Sequence, residues 1–294
     1  MSRGFANSLG QFNWHSAYSF NLDWSIYRED DKAVKQNYAG FVWDAEAVVQ
    51  KICQARDALE LLGRKPRSLE PGQYRVFLSP GAINELMNTV SWGGFGLKSH
   101  RTAQTPLLSM VREGTRLHPS VNISENHREG LTSRFTRAGF IKPDRVELIK
   151  GGVCHDCLAN RRSAREYNVD VNCGSEHPQS LQMGAGSLPR KEVFTALDNG
   201  LYISDLWYSN FSDRNHCRIT GMTRFACLWV ESGKPVAPIH VMRFDESIYH
   251  ILGDQLEELT REREQIVDTG SYEWRSSATS LLPGALVNNF TLTL

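Results

Sequence analysis

Apolar and polar residues alternate along YSFNLDWSIY (18–27), which sets Tyr18, Phe20, Leu22 and Trp24 on one side. A period of two with one apolar side predicts a half-buried strand. The period lengthens after Asp44. Val48, Ile52, Ala55, Leu59 and Leu62 recur at helical spacing, with Asp44 as the N-cap and Gly63 as the stop. YRVFLS (74–79) reads as a strand, and Ser79-Pro80 gives the next helix its cap and an N1 proline. The apolar stripe of that helix is Ile83, Leu86, Met87 and Val90, and SWGGFG breaks it. Thr105-Pro106 opens a short third helix that ends near Gly114. From Val146 the pattern turns to strands: VELIK, LYISDLWYS, RFACLWVE, PIHVMRF and the terminal LVNNFTLTL. ESGK (231–234) fits a hairpin turn with Gly233 at positive φ. Helices are expected over 191–198, ending on Gly200, and again from about Asp245, with Ile248, Ile251, Leu252, Leu256 and Leu259 inward. Strands that cluster while helices stand apart predict an α+β fold. The expected architecture is a large sheet, mainly antiparallel or barrel-like, with several flanking helices.

Composition narrows the class. The 294 residues suffice for one large domain or two small ones, and 40% hydrophobic with 22% charged residues is ordinary for a globular chain. Lys plus Arg (33) balances Asp plus Glu (33), so no basic field draws nucleic acid. No 18-residue apolar run predicts a membrane span, and no apolar run follows Arg3 as a signal peptide would. Six scattered cysteines suit a reducing, cytoplasmic setting. There is no internal repeat.

Three groups of residues bear on chemistry. Cys154, Cys157, Cys173 and His177 follow a C-x2-C-x15-C-x3-H spacing that structural zinc sites use, although the segment lacks the glycine and aromatic punctuation of a zinc knuckle. The set predicts either a zinc-stapled binding module or free thiols in a strand-and-loop region. Among the nine histidines none forms H-E-x-x-H, and neither G-x-S-x-G nor a phosphate loop occurs. The third group lies in the stretch 200–247, where Trp207, Tyr208, Asn210, Asp213, Arg214, Arg218, Thr220, Thr223 and Arg224 crowd together. Either this is a solvated loop between strands, or it is the polar rim of a groove that takes an extended peptide by strand addition.

The same stretch carries a resemblance. NGLYISDLWYSNFSDRNHCRITGMTRFACLWVESGKPVAPIHVMRFDES resembles the C-terminal domain of the TldD/PmbA family, the modulators of DNA gyrase that are regarded as metallopeptidase-related. TGMTR, the Gly-Lys turn and P-I-x-x-M-R-F carry most of it. YRVFLSPGAINELM, GFIKPDRVELI, SAREY and LLPGALVNNFTLTL support it, from about residue 70 to the end. The resemblance implies two subunit types, TldD and TldE (PmbA), paired around a cavity that admits unfolded peptides, with zinc held by the TldD type.

Two departures shape the expectation. The catalytic subunit carries H-E-x-x-x-H on the helix after the V-x-L-x-P strand, and a cysteine near its C-terminus. Here the helix reads PGAINELMNTVSW, with Glu85 and no histidine, and the tail EWRSSATSLLPGALV has no cysteine. A zinc-bound water cannot be built from one glutamate. Residues 1–70, an aromatic-rich strand and helix segment, are read as a remnant or truncated N-terminal part, and 71–294 as the family's C-terminal domain. The chain is therefore expected to be TldE-like and non-catalytic, without a cofactor or metal of its own, partnered by a TldD-type subunit or by its own copies, and free of direct contact with nucleic acid or membrane. Asn210, Thr220, Gly221, Met222, Thr223 and Arg224 are the candidate peptide-binding residues, with 220–224 at the cavity edge and 225–230 a buried strand. A stand-alone peptidase would have to draw on Glu85, His100 and His118, whose spacing fits no known ligand motif.

Overall fold

The computed structural model describes residues 1–29, 32–272 and 275–294. Two hairpins open the chain: β1 (Ser2–Ala6) with β2 (Phe12–Ser16), and β3 (Phe20–Tyr27) with β4 (Ala33–Gly40). Helix α1 (Ala45–Leu62) follows, its first turn capped by the Asp44 carboxylate, which accepts from the backbone N–H of Glu46 and Ala47. Gly63 ends α1 in a right-handed conformation rather than the left-handed cap. Ala55 and Leu62 are buried, but Ile52, part of the expected stripe, is 49% exposed. The inward face of α1 is thus narrower than its apolar spacing suggests.

The main sheet starts at β5 (Gly72–Leu78). Helix α2 (Pro80–Val90) comes next, with Ser79 Oγ accepting from the Ala82 N–H and Pro80 at the first turn. Ile83, Leu86, Met87 and Val90 are all sealed from solvent, as their spacing predicts. Two short helices follow, α3 (Leu97–Arg101) and α4 (Leu108–Glu113), the latter ended by Gly114 in the left-handed region. Then come β6 (Ile123–Asn126), β7 (Arg145–Lys150), β8 (Val153–Cys154), α5 (Arg161–Tyr167), β9 (Ser180–Met183) and α6 (Val193–Leu197). The last third is β10 (Gly200–Ile203), β11 (Asp205–Asp213), β12 (Arg218–Arg224), β13 (Leu228–Glu231), β14 (Lys234–Pro238), β15 (Arg243–Ser247), β16 (Leu256–Val267) and β17 (Thr279–Leu292).

β3 and β4 stand apart as a hairpin, as do β1 and β2; the other thirteen strands form one mixed sheet. Only β10–β5 and β17–β9 pair in parallel; the remaining ladders are antiparallel. Among the described residues the sheet does not close into a barrel. Its spine is β17, which pairs with β9 and β5 on one side and β16 on the other, and touches β15 at its end. A strand covered on both faces needs apolar residues throughout rather than alternation, and LPGALV (282–287) is buried without a break. Gly284 is required there: a Cβ would stand 2.3 Å from the Phe77 ring. Helix α2 packs on β17 and β11 and joins Val76, Leu78, Phe244, Ala285, Val287 and Phe290 in the largest core. A second core docks the N-terminal segment, with Val34, Ala55 and Leu62 against Ala226 and Leu228.

Several expected elements divide differently. The helix expected from Asp245 is instead β15, a single π turn (His250–Asp254) and β16. All five of its apolar residues are buried; Ile248, Ile251 and Leu252 keep helical backbone in a short turn (248–254), while Leu256 and Leu259 take strand positions, because the ladders with β12 and β17 outweigh local propensity on either side. LYISDLWYS is two strands broken at Ser204, and PIHVMRF breaks between Pro238 and Arg243. In CRITGMTRFACLWV the polar half is itself strand β12. The chain then turns at Phe225, whose φ is 60°, and resumes as β13 only at Leu228. The expected buried strand over 225–230 is therefore shortened to its apolar end.

Candidate functional site

A cavity of about 870 Å³ lies between the N-terminal segment and the main sheet. β3 and β4 bring Asp23, Lys35, Gln36 and Asn37 to it, and α1 brings Gln54, Asp57 and Leu61. From the other side α2 presents Asn84, Glu85 and Asn88, where Asn88 is i+4 from Asn84 and i+3 from Glu85 and so neighbours both on the helix surface. Its apolar wall includes Phe77, Tyr202 and Phe194, with Phe77 and Tyr202 stacked at 5.7 Å and Phe194 tilted on Tyr202 at 5.4 Å. An apolar body with a few converging polar groups is the usual make-up of a binding cavity.

Its charge is uneven. Asp205, the first residue of β11, has its carboxyl pushed up to about 7. Burial is the main cause; Lys35 opposes it, and the Glu85 carboxylate adds to it. Burial likewise raises Glu85, again against Lys35. Two partly desolvated carboxyls thus answer to one ammonium, an arrangement that can hold a cationic group or exchange a proton near neutrality. At the other wall Glu264 pairs with Lys51 at 3.3 Å and with Arg190. The Ser79 hydroxyl caps α2 and donates to the Ser204 carbonyl, which ties the helix start to the β10–β11 break beside Asp205.

The cavity does not fit a metal. Among the described residues no group of three or more His, Cys, Asp or Glu side chains is placed to hold one. His177 is the one histidine in the described lining, its Nδ1 3.0 Å from the Ser91 carbonyl, and no cysteine is present there. The zinc staple expected from Cys154, Cys157, Cys173 and His177 is therefore not formed. Spacing placed the four in one segment, but the fold spreads them over β8, the loop after it and the approach to β9. Burial raises the thiols of Cys157 and Cys173, to about 11 and about 12, which disfavours the thiolate a metal needs. Glu85, His100 and His118 do not assemble either: His100 Nε2 lies 2.7 Å from the Gly94 carbonyl, and His118 Nδ1 lies 2.8 Å from Ser120 Oγ.

A model of the PmbA/TldA metallopeptidase C-terminal domain matches residues 71–293. The chain belongs to the PmbA/TldD family. Solved structures share its fold at low identity. TldE from Thermococcus kodakarensis aligns with a TM-score of 0.80 and 15% identity, over 100% of this chain and 67% of that one. A Thermotoga maritima protein provisionally named a modulator of a DNA gyrase gives 0.75 and 15%, over 99% of this chain and 66% of its own. A Bacteroides thetaiotaomicron protein named in the same way gives 0.72 and 14%, over 97% and 62%. The chain thus spans about two thirds of the length of these structures. No curated protein sequence matches it.

In this PmbA/TldD-family chain the TGMTR segment lies outside the lining of the large cavity. β12 runs between β11 and β15, so ladders on both sides occupy its backbone. Thr223 is buried, its N–H donating to the Met242 carbonyl and its Oγ accepting from the Met242 N–H, each at 2.9 Å. Thr220 Oγ donates to the Phe244 carbonyl at 2.8 Å and accepts from Arg243 Nε at 3.0 Å. Gly221 allows close packing: a Cβ would meet the Phe244 ring at 2.7 Å and the Trp207 carbonyl at 2.9 Å. Met222 and Asn210 reach the surface, and Arg224 lies over the rings of Trp207 (4.6 Å) and Phe225 (5.2 Å). The residues that do line the cavity include one the sequence flagged for other reasons, Glu85, and one it passed over, Asp205. The available signal was a lone carboxylate inside the apolar run LYISDLW, a residue type that is rarely buried without a purpose. In the tail 273–287, Glu273 and Trp274 lie outside the described residues; Ala278, Thr279 and Ser280 line the cavity.

Proposed function

We propose that this chain is a TldE-like, non-catalytic subunit of a TldD/TldE-type zinc peptidase, and that its large cavity receives a stretch of unfolded peptide. In this reading a TldD-type partner supplies the zinc and the hydrolytic water, while this chain shapes the chamber. The observation that supports it most is the cavity itself: roomy and part apolar, with one carboxyl and two amides on α2 where a catalytic subunit would need histidines, and no ligand set among the described residues. Asp205 and Glu85 would meet peptide N–H or cationic groups, and Phe77, Tyr202 and Phe194 its apolar side chains. Met222 and Arg224 could contact a peptide only through side chains, because the β12 backbone is already paired, whereas Asn210 stands on β11, which pairs with β12 on one side. The balanced charge argues against direct DNA contact despite the gyrase-modulator names of the relatives. No helix among the described residues is long and apolar enough to cross a membrane; a cytoplasmic setting fits the sparse cysteines.

The test is metal analysis and peptidase assay of the isolated chain, followed by co-purification with a family member that carries H-E-x-x-x-H. The expected result is no stoichiometric zinc and no cleavage alone, with cleavage of unfolded peptides once the partner is bound. Stoichiometric zinc with peptidase activity in the chain alone would overturn the proposal.

A further inference from the structure

Both edges of β12 are occupied, so TGMTR cannot take an extended peptide by strand addition. β4 can. It forms a ladder with β3 alone. At the end of that hairpin the Arg28 N–H donates to the Lys32 carbonyl, which makes 28 and 32 a hydrogen-bonded pair. Bonded and non-bonded pairs alternate along an antiparallel ladder. Val34 and Gln36 are therefore bonded to Ile26 and Trp24, while Lys35 and Asn37 stand opposite Ser25 and Asp23 without bonds. The N–H and C=O groups of Lys35 and Asn37 point away from β3, and no partner takes them among the described residues. Val34, Lys35, Gln36 and Asn37 all line the large cavity. Neighbouring side chains of a strand face opposite ways, so a cavity that touches four in a row reaches both faces of β4 and the edge between them. Asn37 Nδ2 donates to Asn21 Oδ1 at 2.8 Å, but its Oδ1 is buried without a donor.

The two faces of this edge differ. Asp23 is the cross-strand partner of Asn37 and shares its face with Lys35. Lys35 acts on Glu85 and Asp205, and Asp23 and Glu85 both act on Asp205 as like charges, so three carboxyls and one ammonium gather on that side. Residues 30–31 and 273–274 lie outside the described residues, and none of them is a lysine or arginine. Lys35 does not guard the edge: its Nζ lies over the Phe225 ring, 5.8 Å from the centroid. On the face of Val34 stand Ala58, Leu61, Tyr202 and Leu228, an apolar surface that also lines the cavity. We propose that the β4 edge at Lys35 and Asn37 takes an extended peptide as an added strand, and that the peptides it prefers alternate basic and apolar residues. Backbone hydrogen bonds to Lys35 and Asn37 supply affinity, and the two faces supply selectivity. Alternation follows from the period of two: every second peptide residue meets the carboxyls, and those between meet the apolar face. The inference rests on the cavity being a peptide site, as proposed above, and adds the edge that binds and the class of peptide.

Calorimetric titration of the full chain tests this. The probes are a short peptide alternating lysine and valine, a scrambled peptide of the same composition, and two N-methylated forms of the first, one methylated at every lysine and one at every valine. The amides of alternate residues lie on opposite edges of an extended peptide, so each methylated form blocks one edge. One form is expected to bind at least about tenfold more weakly than the parent and the other to bind like it. The scrambled peptide should bind at least about threefold more weakly. Lys35→Pro removes an outward N–H and keeps the ladder with β3, because proline is tolerated where its nitrogen faces away from the sheet. Lys35→Gln removes the same charge and keeps the N–H. The Pro variant is expected to bind the alternating peptide about three- to tenfold more weakly than the Gln variant, at a similar melting temperature. If the Pro variant does not fold, the methylated pair decides on the wild-type chain. Methylated forms weakened alike, or neither weakened, overturn strand addition and leave the cavity's role in peptide binding standing. A scrambled peptide that binds as tightly as the alternating one overturns the selectivity. Binding of no peptide at all overturns both this inference and the reading on which it rests.

Discussion

Asp205 concentrates the energetics of the large cavity in one side chain. Its ordinary carboxyl value is 3.8, and burial first of all pushes it up to about 7 in the fold. The folded state then binds more protons than the unfolded chain between those two values, so stability falls as pH rises through that window and stays at its lower level above it. Asp205→Asn keeps the shape and removes the charge. It is expected to stabilise the chain by roughly 1–3 kcal/mol at pH 8, where the carboxylate is ionised in both states, and to change little near pH 4. Urea unfolding of the two proteins at both pH values measures this, and an equal effect at both would refute the assignment. The same residue shows why a sequence hides a site. The apolar run around Asp205 is the one local hint that sets it apart from the exposed Asp213 eight residues on; what raises its carboxyl is burial beside Glu85 and opposite Lys35, and those partners lie 120 and 170 positions away.

At the scale of elements, α2 is where fold and candidate site meet. Ser79 Oγ accepts from the Ala82 N–H and donates to the Ser204 carbonyl, so a single hydroxyl both starts the helix and fastens it to the β10–β11 break. Ser79→Ala loses both and is expected to cost roughly 1–2 kcal/mol in urea unfolding, with Ser79→Thr recovering most of it. A loss below about 0.3 kcal/mol would mean that the cap is replaced by solvent. Helix α2 was fully legible in the sequence, because cap, proline and a four-residue apolar stripe agree. The stretch after Asp245 was not. Ile248, Ile251, Leu252, Leu256 and Leu259 share a helical period, yet only the first three lie in a short helical turn and the last two sit on the bulged ladder of β16. Bulges add residues to a strand and shift its alternation, so a period of two can pass for one near 3.6. The α+β class survived this error because it depends on how the strands cluster, not on where each one ends. The TGMTR segment was legible as a family feature and as a polar-to-apolar junction. That both of its flanks are paired, by β11 and β15, is a long-range fact that no local pattern contains.

For the whole molecule, the cavity exists only because the N-terminal hairpin and α1 dock on the sheet. The docking core is small: Val34, Ala55 and Leu62 from the first segment meet Ala226 and Leu228, with Tyr202 and Ile26 at its margin. Lys51 and Glu264 add a half-buried pair at 3.3 Å between α1 and β16. Regions held by few apolar contacts open at lower free energy than the main core. Leu228 therefore controls more than its own strand. Leu228→Ala removes the largest fully buried side chain that the sheet contributes to this contact, and a deletion of that size typically costs about 2–4 kcal/mol. The loss should be unevenly spread. Amide hydrogen exchange is expected to rise in α1 and β4, which rest on Leu228, while the middle of β17, sealed by α2 and β5, keeps its protection. An exchange pattern that rises equally in β17 would mean that the segment and the sheet unfold as one unit, and that the cavity wall has no independent mobility. A rise confined to α1 and β4 would instead identify the docked segment as the moving wall of the cavity, the part able to yield when a chain enters.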